Sequence, residues 1–539
     1  MTPYLSLPFP ETYPATGGDS ATENLNLFFQ TGDVAFILVA TSMVWLMVPG
    51  IAFFYSGLAR RKSALSMLWI CMVAVAITQF QWYFWGFSLA FSKTATNGFI
   101  GNLKHFALMD VLGGPATGTA LVPELLYANF QGMFASVTIA LVMGAVAERG
   151  RLMPACLFIF LWVTLVYCPM ACAVWNANGW AFKWGVLDYA GGGPVEIGSG
   201  FGALAYSFML GPRRNSPSEM VVVHRPHSVT SVVLGTALLW FGWAGFNGGS
   251  AFGANLRAVI SITDTNIAGA MGGITWCLLD YRLERSLTMV GFCSGVIAGL
   301  VAATPSSGYI GPSPAVAVGV LAGACCNYAT KIKFLLKIDD SMDVFAEHGV
   351  GGIIGLLCCA FFGAEYVTAL DGVSYGIGGW FSKNWAQMYK QLGWIGFCCA
   401  WTWTITCLIC FVINKIPGLH LRTSEDGELR GIDEDQIGEF AFDYVEARRN
   451  FMTWGVTNAI DGETTDEGSD FSNQKGKAKA AEALQNAGSY EMQQMGTNHS
   501  LGNAPFPAGQ RQQAEAPVVS GSSPVAEETA PAHRDHAVY

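Results

Sequence analysis

Apolar runs of about twenty residues recur from residue 33 to residue 414, and no other feature so narrows what this chain can fold into. A backbone surrounded by lipid must satisfy its own polar groups, and a continuous apolar run does this as a helix. The runs fall near 33–58, 65–91, 124–147, 152–174, 195–211, 229–248, 258–279, 287–303, 312–331, 343–364 and 391–414. The expected fold class is therefore an all-α integral membrane protein with eleven transmembrane helices. Composition agrees: 52% of residues are hydrophobic and 13% charged, against about 25% charged in a soluble domain.

Loop charge sets the orientation. Arg60 is the first basic residue, and Glu11, Asp19, Glu23 and Asp33 precede it. Alternate loops then collect Arg60, Arg61 and Lys62; Arg149 and Arg151; Arg213, Arg214 and Arg225; Arg282 and Arg285; Lys331, Lys333 and Lys337. The opposite loops hold only Lys93, Lys104, Lys183, Arg257, Lys383 and Lys390. Positive charge on the inner side predicts an extracellular N-terminus and a cytosolic C-terminus, as an odd number of spans requires. Residues 1–31 lack the basic start of a cleavable signal, so they read as an extracellular segment before a self-anchoring first span.

The transporter domain runs over 32–416. Residues 417–455 mix charge with Phe440, Phe442 and Tyr444 and suit docking against the inner face of that domain. Residues 456–539 are rich in Gly, Ser, Gln, Ala, Pro and Glu and read as a disordered cytosolic tail. In that compartment the Asn498 sequon is not expected to carry a glycan. The net charge of −10 comes largely from residues beyond 417 and describes the tail. No basic stripe suits nucleic acid. The 14 cysteines lie inside apolar runs, as small buried hydrophobes do, rather than in a disulfide framework. Metal-ligand spacing and phosphate-binding loops are missing, so neither an enzyme nor a bound cofactor or metal is expected.

Ionisable groups at membrane depth are costly and point to function. Two stretches carry them: DYAGGGPVE, Asp188 to Glu196, entering the fifth run, and DVFAEHGVGG, Asp343 to Gly352, opening the tenth. A division into five, five and one helices places each on the fifth helix of its half. The halves then start on opposite sides, giving an inverted repeat with its path at the interface. Glu196 and His348 either face each other across that path, passing a proton as a coupled pair, or hydrogen-bond between helices for packing. Asp188, at a Gly-rich helix start, fits an N-cap that fixes the loop, and its charge favours cations nearby. Glu347 points about 100° away from His348 around the helix, toward a neighbour. Trp175 lies at the outer end of the fourth run, Phe130 and Phe134 are one turn apart on the third, and Phe246, with Ser250 four residues on, is at the outer end of the sixth. Singly they read as interface belt or core; together they suit a small cation, held by an aromatic face and a hydroxyl.

These stretches, with VPGIAFFYSGLARRKSALSM (48–67), NFQGMFASVTIALVMGAVAER (129–149), WFGWAGFNGGSAFGAN (240–255) and CSGVIAGLVAATPSSGYIGP (293–312), resemble the ammonium transporter, methylammonium permease and Rhesus family from about 33 to 445. GLHLR…GIDEDQIGE resembles that family's regulatory C-terminal segment. The resemblance implies a plasma-membrane homotrimer in lipid, with one narrow pore per subunit for ammonium and its analogue methylammonium. It implies that Trp175 and Ser250, with Phe130 nearby, recruit ammonium, that Asp188 stabilises that region, and that Phe134 and Phe246 form a stacked gate. Trp243 lines the path, and Glu196 and His348 stand where the family has two facing histidines. The glutamate departs from the commoner pattern, as in one subset of fungal permeases, and implies a different dependence on pH. The expected function is electrogenic ammonium uptake, with ammonia and proton passing separately. A Rhesus-like gas channel and a nutrient sensor are the alternatives, and the Ser/Thr-bearing tail offers a regulatory kinase its substrate.

Overall fold

The computed structural model describes residues 21–22, 24–214, 225–375 and 378–442. The chain divides into two compact units, Met1–Ala447 and Arg448–Tyr539, and every described residue belongs to the first. The tail expected at 456–539, the Asn498 sequon, residues 1–20 and residues 443–455 lie outside the described residues. Among the described residues the structure is helical, with no strand and only the isolated bridges Pro115–Pro123 and Gly150–Arg422.

The principal helices are α1 (Thr31–Leu58), α2 (Ala64–Gln81), α3 (Glu124–Val142), α4 (Leu152–Trp162), α5 (Cys168–Trp175), α6 (Gly198–Leu210), α7 (Val229–Gly249), α8 (Leu256–Glu284), α9 (Met289–Ser306), α10 (Pro312–Ala329), α11 (Gly351–Phe362), α12 (Ala386–Lys415) and α13 (Glu425–Arg430). Among the described residues, 9 helices are long and apolar enough to cross a membrane. The runs expected near 195–211 and 258–279 are not among them. The first becomes the π turn Gly192–Ile197 and α6, which together carry Glu196, Pro194 and several glycines. The second becomes α8, 29 residues long, but it carries Arg257, Asp264, Asp280, Arg282 and Glu284.

Small residues set how closely the helices approach, as expected where lipid provides no hydrophobic drive between them. A Cβ on Gly235 of α7 would stand 2.4 Å from Phe54 N of α1, and one on Gly299 of α9 would stand 2.1 Å from Ala268 O of α8. Four of the five π turns among the described residues adjoin the long helices: Trp82–Gly86, Val163–Tyr167, Gly192–Ile197 and Phe345–Val350. Proline accounts for the second. Pro169 has no N–H, and its ring would crowd the preceding turn of a straight helix, so Val163–Tyr167 widens to admit it.

The loops rich in basic residues meet the segment after α12. Gly150 bridges Arg422, Arg151 N donates to Leu421 O (2.9 Å) and Thr423 N to Arg149 O (3.0 Å). The Asp433 carboxylate accepts the N–H groups of Leu65 (2.9 Å) and Ser66 (2.7 Å) at the start of α2, and Lys62 Nζ donates to Leu429 O. Beneath this segment Arg213 lies between two buried carboxylates, Glu148 (2.9 Å) and Asp339 (2.8 Å), and Arg60 reaches Glu148 at 2.7 Å. Burial alone would raise the Asp339 carboxyl, but Arg149 and Arg213 outweigh it and hold it down at about 2.

Candidate functional site

The segment between α5 and α6 builds one end of the site. Gly191 takes φ +114°, open to glycine, and a Cβ there would also press the Trp175 ring at 3.2 Å. The turn aims the N–H groups of Gly191 (3.1 Å), Gly192 (2.5 Å) and Gly193 (2.7 Å) at the Asp188 carboxylate. Trp394 of α12 adds its Nε1–H at 2.9 Å. Asp188 thus fixes the helix entry as an N-cap does, with its acceptor sites largely consumed. Its own carbonyl accepts from Trp175 Nε1 at 3.1 Å, which sets the orientation of that indole.

Trp175, Asp188 and Ser250 line one vestibule of about 590 Å³. Ser250, at the end of α7, donates its hydroxyl hydrogen to Phe246 O at 2.8 Å, so what its oxygen offers a further partner is lone pairs. Phe130 does not line the vestibule. It is buried against Phe134 (ring centres 4.9 Å apart) and under Phe252 (6.2 Å).

Below lie Phe134 of α3 and Phe246 of α7, stacked with ring centres 3.9 Å apart and planes at 20°. Trp175 meets Phe134 edge-on at 6.2 Å and 88°. Stacked rings at this separation leave no gap between them, so the pair separates the vestibule from a narrow apolar slot. Phe246, Trp243, Met47, Ile51, Val137 and Leu141 line that slot, and so does Glu196. Trp243 Nε1 donates to Thr304 Oγ1 of α9 at 2.9 Å, which holds its ring along the wall.

Glu196 and His348 each sit on a π turn of 6 residues, Gly192–Ile197 and Phe345–Val350. Glycines on the helices that follow let the two turns approach: a Cβ on Gly200 of α6 would come within 2.2 Å of Gly349 N, and one on Gly352 of α11 within 2.7 Å of Glu196 Cβ. This approach brings His348 Nδ1 to 2.8 Å from Glu196 Oε2, with both side chains buried. At that distance a proton must lie between them, since two bare acceptors would repel. Glu196 Oε1 has no hydrogen-bond partner among the described residues. A buried carboxylate with one oxygen committed and one open can take up a proton or a donor that enters the slot. Glu347 turns away from the pair and lies against Ser294 of α9.

The structure therefore brings the nine sequence-derived residues into one stack, with Phe130 as support rather than lining. Sequence reasoning missed Thr304, Trp394 and the π turns. Thr304 and Trp394 act through single hydrogen bonds across sequence separations of 61 and 206 residues, which no local pattern reports.

Among the described residues, an all-helical structure with membrane-length helices, an aromatic-floored vestibule and a buried carboxylate–imidazole pair on an apolar slot defines a class of polytopic membrane protein. The chain belongs to the Ammonium Transporter Family, whose model matches residues 35–442. It is 51% identical over 466 residues to ammonium transporter 2 of Schizosaccharomyces pombe, covering 85% of this chain and 90% of that protein. Ammonium transporter MEP2 of Saccharomyces cerevisiae is 51% identical over 438 residues, covering 80% of this chain and 87% of its own. The crystal structure of Saccharomyces cerevisiae Mep2 superposes with a TM-score of 0.73 at 50% identity, covering 77% of this chain and 95% of that one.

Proposed function

We propose that this protein carries ammonium across the plasma membrane through the path just described. The observation that carries the reading is the order of the groups: cation-suited vestibule, stacked rings, then an apolar slot with Glu196, paired to His348, in its wall. Ammonium is collected against the Trp175 face and the Ser250 lone pairs, with the backbone around Asp188 holding that geometry. Phe134 and Phe246 part to admit it. Glu196 itself lines the slot beside Trp243, and the slot is otherwise too apolar for a bare cation, so the N–H bond breaks as ammonium meets Glu196. Its proton goes to Glu196 Oε1, and neutral ammonia continues. The Glu196–His348 pair conveys the proton separately, and the net result is one positive charge moved per ammonium.

In the same reading the chain spans the membrane eleven times. α6 with its π turn and α8 supply the two further spans, tolerated there because protein rather than lipid surrounds much of their polar surface. The N-terminus lies outside and the C-terminus inside, the two five-helix halves run in opposite directions, and three copies assemble in the bilayer. Residues 417–455 regulate the path from the cytosol, and the tail beyond them carries the sites for a kinase. The relatives named as ammonium transporters support the substrate.

Growth rescue and labelled methylammonium uptake in cells lacking their own ammonium uptake test the reading. Rescue is expected from the wild-type chain. A chain present at the plasma membrane that neither rescues growth nor takes up methylammonium overturns it.

A further inference from the structure

Arg257 stands at the start of α8 and is 7% exposed. Its Nε donates to Gly308 O at 2.9 Å, and its Nη1 reaches Asp371 Oδ2 at 2.8 Å and Ser374 Oγ at 3.4 Å. The guanidinium carbon lies 5.0 Å from the ring centre of Tyr189 and 5.0 Å from that of Tyr309. Asp371 closes its own turn: Oδ1 accepts from Val373 N (2.9 Å) and Ser374 N (2.7 Å), and Oδ2 from Ser374 Oγ (2.5 Å). Burial alone would push the Asp371 carboxyl up. The Ser374 and Val373 hydrogen bonds and the Arg257 cation outweigh it, leaving the carboxyl below its ordinary value and ionised at neutral pH.

Two consequences meet at this cluster. Arg257 shares the vestibule wall with Trp175, Asp188 and Ser250, so an uncompensated guanidinium there would oppose entry of any cation. Tyr189 also follows Asp188, whose carbonyl holds the Trp175 indole. The backbone of Tyr189 and Ala190 is clipped to the end of α9 through Pro305 O (3.2 Å) and Thr304 O (3.1 Å). Arg257 braces the same segment from the vestibule side through the Tyr189 ring.

We propose that Arg257 and Asp371 form a charge-neutral brace of the outer vestibule, which positions Trp175 through the Tyr189–Asp188 segment and cancels a charge that would repel the incoming cation. The proposal rests on the ammonium reading above and deepens it. Neither residue touches the substrate; both are positioning residues.

The test is labelled methylammonium uptake by the full-length chain, at low and high ionic strength, with KM separated from maximal rate. Asp371→Asn leaves Arg257 uncompensated. Its KM is expected to rise about fivefold at low salt and less at high salt, with maximal rate per surface molecule held within about twofold. The double variant Arg257→Gln/Asp371→Asn removes both charges but also the brace, so its KM is expected to lose the salt dependence of the single variant while staying above wild type at both ionic strengths. An unchanged KM in Asp371→Asn, or a double variant that keeps that salt dependence, overturns the charge role. The brace is tested apart from transport by amide hydrogen exchange on the purified full-length protein. Arg257→Gln is expected to speed exchange at Tyr189, Ala190 and Gly191 severalfold. Arg257→Lys, which keeps the charge but loses the fork and the ring stacking, does the same where Gln fails to fold. Unchanged exchange overturns the brace, whereas a wild type without uptake overturns only the transport reading.

Discussion

Glu196 has one oxygen on His348 Nδ1 at 2.8 Å and one open to the slot. Replacing the carboxylate with a second imidazole changes which neighbour holds the proton at a given pH, because two coupled sites titrate as a pair. Glu196→His is therefore expected to shift the pH dependence of methylammonium uptake, measured between pH 4 and 8 in the same cells. An unchanged profile and rate would remove Glu196 from the proton path. Asp188 has a different task. Its carboxylate collects three backbone N–H groups and the Trp394 indole. Asp188→Ala strands those donors and is expected to cost about 3 kcal/mol or more in thermal stability of the detergent-purified protein. Asp188→Asn keeps one acceptor oxygen and is expected to lose less. Equal losses would mean that the carboxylate acts by charge rather than as a cap.

At the scale of elements, the approach of the two π turns is where packing and site coincide. Gly200→Ala pushes a Cβ into Gly349 N and is expected to cost about 1–3 kcal/mol and most of the uptake, by prising Glu196 from His348. Gly396→Ala on α12, where nothing lies within 4 Å, is the control and is expected to be neutral or slightly stabilising. Among the described residues, Arg213 ties three loops together through Glu148 and Asp339. Arg213→Ala leaves both carboxylates buried beside less positive charge and is expected to cost about 3 kcal/mol, read by thermal unfolding in detergent. Both carboxyls are held below their ordinary values. Their contribution to stability is therefore full above the carboxyl range of the unfolded chain and is lost as pH falls through the folded values. The Arg213→Ala deficit should then be present at pH 7 and shrink below about pH 4.

These elements also show what the sequence made legible. The apolar runs placed the helices, because lipid-length hydrophobicity is written locally. Asp188, Glu196 and His348 stood out because ionisable groups are rare in such runs. The π turns were illegible: an extra residue in a turn does not alter the apolar pattern, although Gly192, Pro194 and Pro169 lay where a regular helix is hard to keep. Arg257 was visible only as an isolated basic residue on the outer side, since its partners Asp371, Tyr189 and Tyr309 come from three other segments. α6 and α8 read as spans from sequence but fall short in apolarity, because a helix enclosed by other helices can carry polar groups that lipid would reject.

For the whole molecule, the described residues of the compact unit Met1–Ala447 hold both the path and the segment after α12 that clasps the loops at Arg60–Ser63 and Ala147–Arg151. The central claim is that ammonium uses this path and parts from its proton at the Glu196–His348 pair. The most direct measurement is the current evoked by an ammonium gradient across proteoliposomes holding the purified full-length protein, wild type beside Glu196→Ala and His348→Ala. The account predicts a wild-type current that grows and saturates with ammonium, and a loss of about tenfold or more in each variant at equal protein. Full current in both variants, or wild-type uptake with no current at all, would contradict it.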